Sequence, residues 1–139
     1  MSYQEDIDKI FKLRVMLEEE IDKIDKNSLY EYVLKNKSIG FLFCYLETMI
    51  EKHMEDYSEE NKYKIENYLI SSIFKDFEKA LKVDLYEKCI KLKDKKEPNF
   101  MLGYNSCFYQ KIFILSSQEE FFHWHYYIKK HVAKLRLKN

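Results

Sequence analysis

The sequence predicts an all-α fold, a single compact bundle of five or six helices. Three observations carry this expectation. The chain has 139 residues, 46% apolar and 35% charged, a balance that suits one globular domain with a real core. Gly40, Gly103 and Pro98 are the only residues that break the chain, so the frequent turns of an all-β fold are missing. Apolar residues recur at spacings of three and four along most of the sequence.

The first element reads as a helix over about residues 3–25. Tyr3, Ile7, Ile10, Arg14, Leu17, Ile21 and Ile24 alternate in steps of four and three, a heptad seam interrupted only by Arg14. Glu5–Lys9, Asp8–Lys12, Glu19–Lys23 and Asp22–Lys26 stand at i,i+4 with the acid first, the favourable order. Ser2 with Glu5, Ser28 with Glu31 and Ser117 with Glu120 each fit a capping box. A second helix starts after Ser28 and ends near Asn36. The third covers about residues 39–56. It is apolar around most of its first half, through Phe41, Phe43 and Leu46, which predicts a central position.

Ser58 opens the fourth helix, with Glu59 and Glu60 in the first turn as the helix dipole favours. Ile65, Leu69, Ile73, Phe77 and Leu81 form its stripe. Asp84, with Glu87 three on, caps a shorter helix over about residues 85–92. Residues 93–99 read as the one clear loop, charged and containing Pro98. Residues 100–116 are open between helix and strand. Phe108, Ile112 and Leu115 fit a helical period and a lone strand has nothing to pair with, so a short helix is expected. The last helix spans about residues 118–137, with Phe121, Trp124, Ile128, Val132 and Leu135 facing inward.

The same composition excludes several functions. Dinucleotide and P-loop sites need glycines that let backbone approach phosphate. The apolar run from Ile39 to Leu46 is far shorter than the ~20 residues that cross a bilayer, so no membrane role is expected. The opening residues lack the basic and apolar regions of a signal peptide. Cys44, Cys89 and Cys107 are odd in number and widely spaced, which predicts buried reduced thiols in a cytoplasmic protein. Cys89, between Lys88 and Lys91, is the one position where basic neighbours could activate a thiol.

The basic residues are 22 lysines and two arginines, and alanine occurs twice while Ile, Asn, Tyr and Phe are abundant. These are residues of AT-rich codons, which points to a low-GC bacterium, its phage or plasmid, or a large DNA virus. Lysine-richness is then weak support for nucleic-acid binding. Residues 1–60 carry 15 acids and 8 bases, whereas residues 61–139 carry 9 acids and 16 bases. An acidic first helix lying beside a basic last helix accounts for this split.

The densest cluster of chemically capable side chains is Glu119, Glu120, His123, Trp124, His125, Tyr126, Tyr127 and His131. Glu120 and His123 have the Glu-x-x-His spacing of di-iron bundles, but no second copy exists. They stay as weak metal candidates, and no cofactor is expected. Glu119, His123 and Tyr127 share a helix face and could relay a proton, although hydrogen-bonded surface residues explain the same spacing. The Arg-then-His motif of HEPN-type helical ribonucleases is absent, because Arg14 has no His near it and Arg136 follows His131.

The leading expectation is a non-enzymatic protein-interaction module. Twelve tyrosines and ten phenylalanines exceed what a small core needs, and tyrosine is rich in binding energy at interfaces. Trp124, Tyr126, Tyr127, Lys129 and Lys130 are the expected partner-binding residues. An inhibitor, immunity or anti-defence protein of a mobile element is the expected setting. One alternative is a nucleic-acid binder. Its lysines are Lys88, Lys91, Lys93, Lys95 and Lys96 near the loop, and Lys129, Lys130, Lys134, Arg136 and Lys138 at the chain end. Scarce arginine and overall neutrality count against it. A metal-dependent helical-bundle enzyme centred on Glu120 and His123 is the second alternative. The seam over residues 3–24 could also pair with a second copy, although Glu18 and Glu20 beside it favour a basic partner.

Overall fold

In the computed structural model, residues 3–22, 26–53 and 59–116 are described, and the regular structure among them is entirely helical. The helices are α1 (Tyr3–Asp22), α2 (Lys26–Leu34), α3 (Asn36–His53) and α4 (Glu59–Ile73). They are followed by α5 (Lys75–Leu81), α6 (Leu85–Asp94), α7 (Pro98–Phe108) and α8 (Lys111–Ser116). Eight helices among the described residues exceed the five or six expected. The stripe over residues 65–81 is two helices, not one, and residues 98–116 form another two. None of the helices among the described residues is long and apolar enough to cross a membrane.

Helix α3 is the hub, as its all-round apolarity predicts. Residues from Phe41 to Leu46 are all buried, and so are Ile39, Met49 and Ile50. Helix α7 lies along α3 in the most extensive pairing among the described residues. Helices α2, α4, α6 and α8 also touch α3, and α1 packs on α4.

The α3–α7 contact is backbone against backbone. Gly40 of α3 faces Phe100 and Tyr104, and Gly103 of α7 faces Lys37 and Phe41 in return. A Cβ on Gly40 would lie 2.9 Å from the Phe100 carbonyl carbon and closer still to its oxygen. One on Gly103 would lie 2.7 Å from the Lys37 carbonyl carbon. Both glycines therefore sit inside helices, where a missing side chain permits close approach, and neither breaks the chain. Aromatic rings close around the crossing, with Phe43 and Phe100 centroids 6.2 Å apart and Phe100 and Tyr104 6.3 Å apart.

Local chemistry explains the helix ends. Asp84 caps α6 as expected, its Oδ1 accepting from the Glu87 N–H at 3.0 Å. Glu97 caps α7, its Oε2 accepting from the Phe100 N–H at 2.7 Å. Pro98 follows at the first helical position, where its missing N–H costs nothing. The expected loop over residues 93–99 thus shrinks to residues 95–97, and the proline starts a helix. Ser28 lies inside α2, which begins at Lys26, so it is not an N-cap. Residues 100–116 are helical with a break at Tyr109 and Gln110, and no strand occurs among the described residues.

The seam of α1 is used internally where it is described. Leu17 and its neighbour Leu13 are buried in the core, and Ile10 packs against it. Arg14, which interrupts the seam, ties α1 to α4. Its Nη1 donates to the Tyr68 hydroxyl at 2.9 Å, and its guanidinium lies over the Phe11 ring at 4.7 Å. Ile24, the expected caps Ser2, Ser58 and Ser117, and the expected helix over residues 118–137 lie outside the described residues.

Helix propensity alone favours Ala over Gly by ~1 kcal/mol. The crossing reverses that sign, because neither carbonyl can move without breaking its helix. Gly40→Ala and Gly103→Ala should each destabilise by about 3 kcal/mol, the upper range for overpacking. Asn105→Ala on the exposed face of α7 should change stability by less than about 0.5 kcal/mol. Urea unfolding of the three variants checks this, and a stabilised Gly103→Ala protein would contradict the close approach.

Candidate functional site

Two places gather side chains with functional capacity. The first is a polar cluster inside the bundle. Glu47 of α3 stands one turn after Phe43, and Glu66 of α4 one turn after Lys62. Helix α6 contributes Tyr86 and Lys93, two turns apart, and α7 contributes Tyr104. Lys93 Nζ donates to Glu47 Oε1 at 3.1 Å, and the Tyr104 hydroxyl donates to Glu47 Oε2 at 2.9 Å. Lys62 Nζ lies 3.6 Å from Glu47 Oε2. The Lys93 ammonium also sits 4.9 Å from the Tyr104 ring centroid and 5.5 Å from that of Phe43.

Glu66 is less well served. The Tyr86 hydroxyl donates to its Oε2 at 3.4 Å, and Lys62 Nζ is 3.9 Å from its Oε1. Burial raises the Glu66 carboxyl to about 7, and the Glu47 charge adds to the rise while Lys62, Lys93 and the Tyr86 hydrogen bond oppose it. Burial likewise pushes the Tyr86 and Tyr104 hydroxyls well above the usual phenol range, reinforced by the neighbouring carboxylates. Side-chain exposure rises from 1% at Glu66 through 13% at Glu47 to 22% at Lys62 and 37% at Lys93. A carboxyl that titrates near neutrality suits acid–base chemistry, but such chemistry needs contact with a substrate. Here the perturbed carboxyl is buried and the lysines reach in from the more exposed edge of the cluster, so the cluster clamps α3, α4, α6 and α7 together.

The second place is a groove between the end of α2, helix α5 and the start of α6, with a volume of about 270 Å³. Val33, Phe77 and Leu85 are buried at its floor, whereas Leu34, Leu81 and Val83 are exposed at its mouth. Glu78 and Lys88 are its polar lining residues. Glu78 is already engaged, because its Oε2 accepts from the Leu85 N–H at 3.1 Å. Beyond Val83 and Lys88 a trough of about 380 Å³ continues along α6, lined also by Lys82, Lys91 and Lys95. Leu102, Phe108, Tyr109 and Ile112 expose further apolar surface on α7 and α8.

The residues expected from the sequence are placed as follows. Lys93 is drawn into the polar cluster, Lys95 lines the trough, and Lys96 is exposed in the α6–α7 turn with a left-handed φ of 54°. Trp124, Tyr126, Tyr127, Lys129, Lys130, Lys134 and Arg136 lie outside the described residues, as do Glu120 and His123. No group of three or more His, Cys, Asp or Glu able to hold a metal occurs among the described residues. Cys44, Cys89 and Cys107 are free and buried, as expected. Cys89 is not activated by its lysines: burial pushes its thiol up to about 12, and Lys88 only partly offsets this. Burial also raises Cys107, after the larger effect of its hydrogen bond with Cys44.

Sequence reasoning missed Glu47, Glu66 and the groove. Glu47 is the one acid in the run from Phe41 to Ile50, and Glu66 shares a helix face with Ile65, Leu69 and Ile70. An acid on an apolar face was the available signal.

The raised Glu66 value has a definite sign. Folded Glu66 protonates near 7 against an ordinary 4.5, so between these values the folded protein holds a proton that the unfolded chain releases. Stability therefore falls as pH rises through that window, and the penalty is complete above it. Glu66→Gln should flatten this slope. Relative to the variant, the native protein should lose on the order of 5 °C in Tm between about pH 5 and about pH 8. Parallel melting curves for the two proteins would mean that Glu66 stays charged throughout.

Comparison with protein-family models, with curated proteins and with solved structures finds no match to this chain, so the functional reading rests on the chemistry of these two places.

Proposed function

We propose that the protein is a non-enzymatic interaction module that takes one or two apolar side chains of a partner protein into the groove between α2, α5 and α6. The make-up of the groove carries this reading. Exposed Leu34, Leu81 and Val83 surround a floor of Val33, Phe77 and Leu85. A catalytic or small-molecule site needs several convergent polar groups, and pockets of that kind run to ~300–1,000 Å³. This groove is about 270 Å³, and one of its two polar lining residues is consumed by its own fold. An apolar anchor from a partner needs only shape and exclusion of water. The polar cluster supports the same reading, since Glu47 is held by Lys62, Lys93 and Tyr104 and Glu66 is 1% exposed within the bundle.

The nucleic-acid alternative has less support. Lys93 is held by Glu47, and the trough lysines adjoin exposed Leu81 and Val83, apolar surface that a phosphate backbone does not use. The small size and AT-rich coding bias make an inhibitor, immunity or anti-defence protein of a mobile element the setting we favour.

Leu34 and Leu81 are both exposed, so their replacement should leave the fold intact. A pull-down from native lysate, with and without nuclease, compares the native chain with a Leu34→Glu, Leu81→Glu double variant. The expected result is a stoichiometric protein partner that survives nuclease and is lost by the variant, whose circular dichroism is unchanged. A partner retained equally by the variant, or recovery of nucleic acid alone, would overturn the reading.

A further inference from the structure

We infer that the segment the groove receives is an acidic amphipathic helix of the partner protein, with its apolar face in the groove and its carboxylates over the α6 trough. This inference rests on the groove reading and adds the chemistry of the occupant. The groove and the trough share Val83 and Lys88, so a chain leaving the groove at that end runs into the trough.

The trough is cationic after its internal pairs are counted. Asp84 is engaged at the start of α6, its Oδ1 accepting from the Glu87 N–H, and Glu87 pairs with Lys91 at 3.1 Å. Lys82, Lys88 and Lys95 form no ion pair among the described residues. Lys88, Lys91 and Lys95 stand at i, i+3 and i+7, one stripe running from α6 onto its C-cap, and Lys88 and Lys95 are ~10 Å apart along the helix axis. A stripe with that repeat is matched by acids at the same repeat on a second helix.

Regular structure supplies the choice of helix over extended chain. The described regular structure is all helical, so it presents no sheet edge with which an extended peptide could pair. An extended segment turns successive side chains to opposite faces, whereas a helix sets side chains at i and i+4 on one face, toward the groove, and satisfies its own amides. A nucleic acid would use the lysines but gain nothing from Leu34, Leu81 and Val83.

Selection of a displayed library of random peptides against the full chain tests this. Enriched peptides should carry apolar residues at i,i+4 followed by Asp or Glu, and bind less tightly as salt is raised. A Lys88→Glu, Lys95→Glu double variant should weaken them by about tenfold or more, and Leu81→Glu should abolish their binding. Enriched peptides that need Leu81 but are not acidic would overturn the inference and leave the groove reading standing. No enrichment, or enrichment indifferent to Leu81→Glu, would overturn both. A single-stranded oligonucleotide that binds through Lys88 and Lys95 but ignores Leu81→Glu would assign the trough to nucleic acid and overturn the inference.

Discussion

Backbone contact between α3 and α7 at Gly40 and Gly103 sets the geometry that the other helices must meet. Tyr104 follows Gly103 directly, so the crossing brings its hydroxyl to Glu47 on the facing helix, at 2.9 Å. Lys93 then has both a carboxylate to pair with and two rings, Phe43 and Tyr104, to lie over. Helix α6 is thereby fixed at its C-terminal end, and a three-residue turn capped by Glu97 joins it to α7. Its N-terminal end carries Leu85 and Lys88 to the groove. The groove thus depends on two glycines from which it is separated by a whole helix.

The polar cluster is better read as a specifier than as a store of stability. Buried carboxylates cost several kcal/mol each in lost hydration, and only good geometry offsets that cost. Glu47 achieves it with three partners between 2.9 and 3.6 Å. Glu66 does not, with one hydrogen bond at 3.4 Å and one ammonium at 3.9 Å. The proton that Glu66 takes up near neutrality relieves the mismatch. What the cluster secures is register, because Glu47, Lys62, Tyr86, Lys93 and Tyr104 meet only when four helices are correctly aligned.

Helical class, the central place of α3 and the Asp84 cap were all legible in the sequence. Each depends on residues within a turn or two of one another, where periodicity and capping chemistry act. The rest depends on partners distant along the chain. A glycine that breaks a helix and one that lets two helices touch look alike until Phe100 is seen against Gly40. Pro98 reads as a loop residue until Glu97 is seen capping the helix that it starts. Glu47 and Glu66 are separate acids in one dimension and neighbours only in three. Leu81 continues the Ile65–Phe77 spacing across the break at Phe74, yet Phe77 stays buried while Leu81, at the last position of α5, is exposed. The groove was invisible for the same reason, since apolar spacing does not say which apolar residues are left uncovered.

That break is the most informative irregularity in the fold. Phe74 precedes α5 without a side-chain cap, its own N–H still donating to the Ile70 carbonyl at 2.9 Å, and Lys82 follows the helix with a left-handed φ of 54°. Such a conformation costs a residue with a side chain ~1–2 kcal/mol, and glycine is the usual occupant of this position. Lys96 adopts the same φ in the α6–α7 turn, where the reversal brings Glu97 to the α7 amides and so has a structural use. At Lys82 the reversal likewise closes its helix, the Lys82 and Val83 N–H groups both donating to the Glu78 carbonyl. Turning the chain there exposes Leu81 and Val83 on either side and sets the Lys82 ammonium in the trough. A glycine would relax the backbone but remove that charge. The left-handed end of α5 is a local cost incurred next to Val83, where the groove and the trough meet, and under the interaction reading the placement of Leu81, Lys82 and Val83 is what that cost returns.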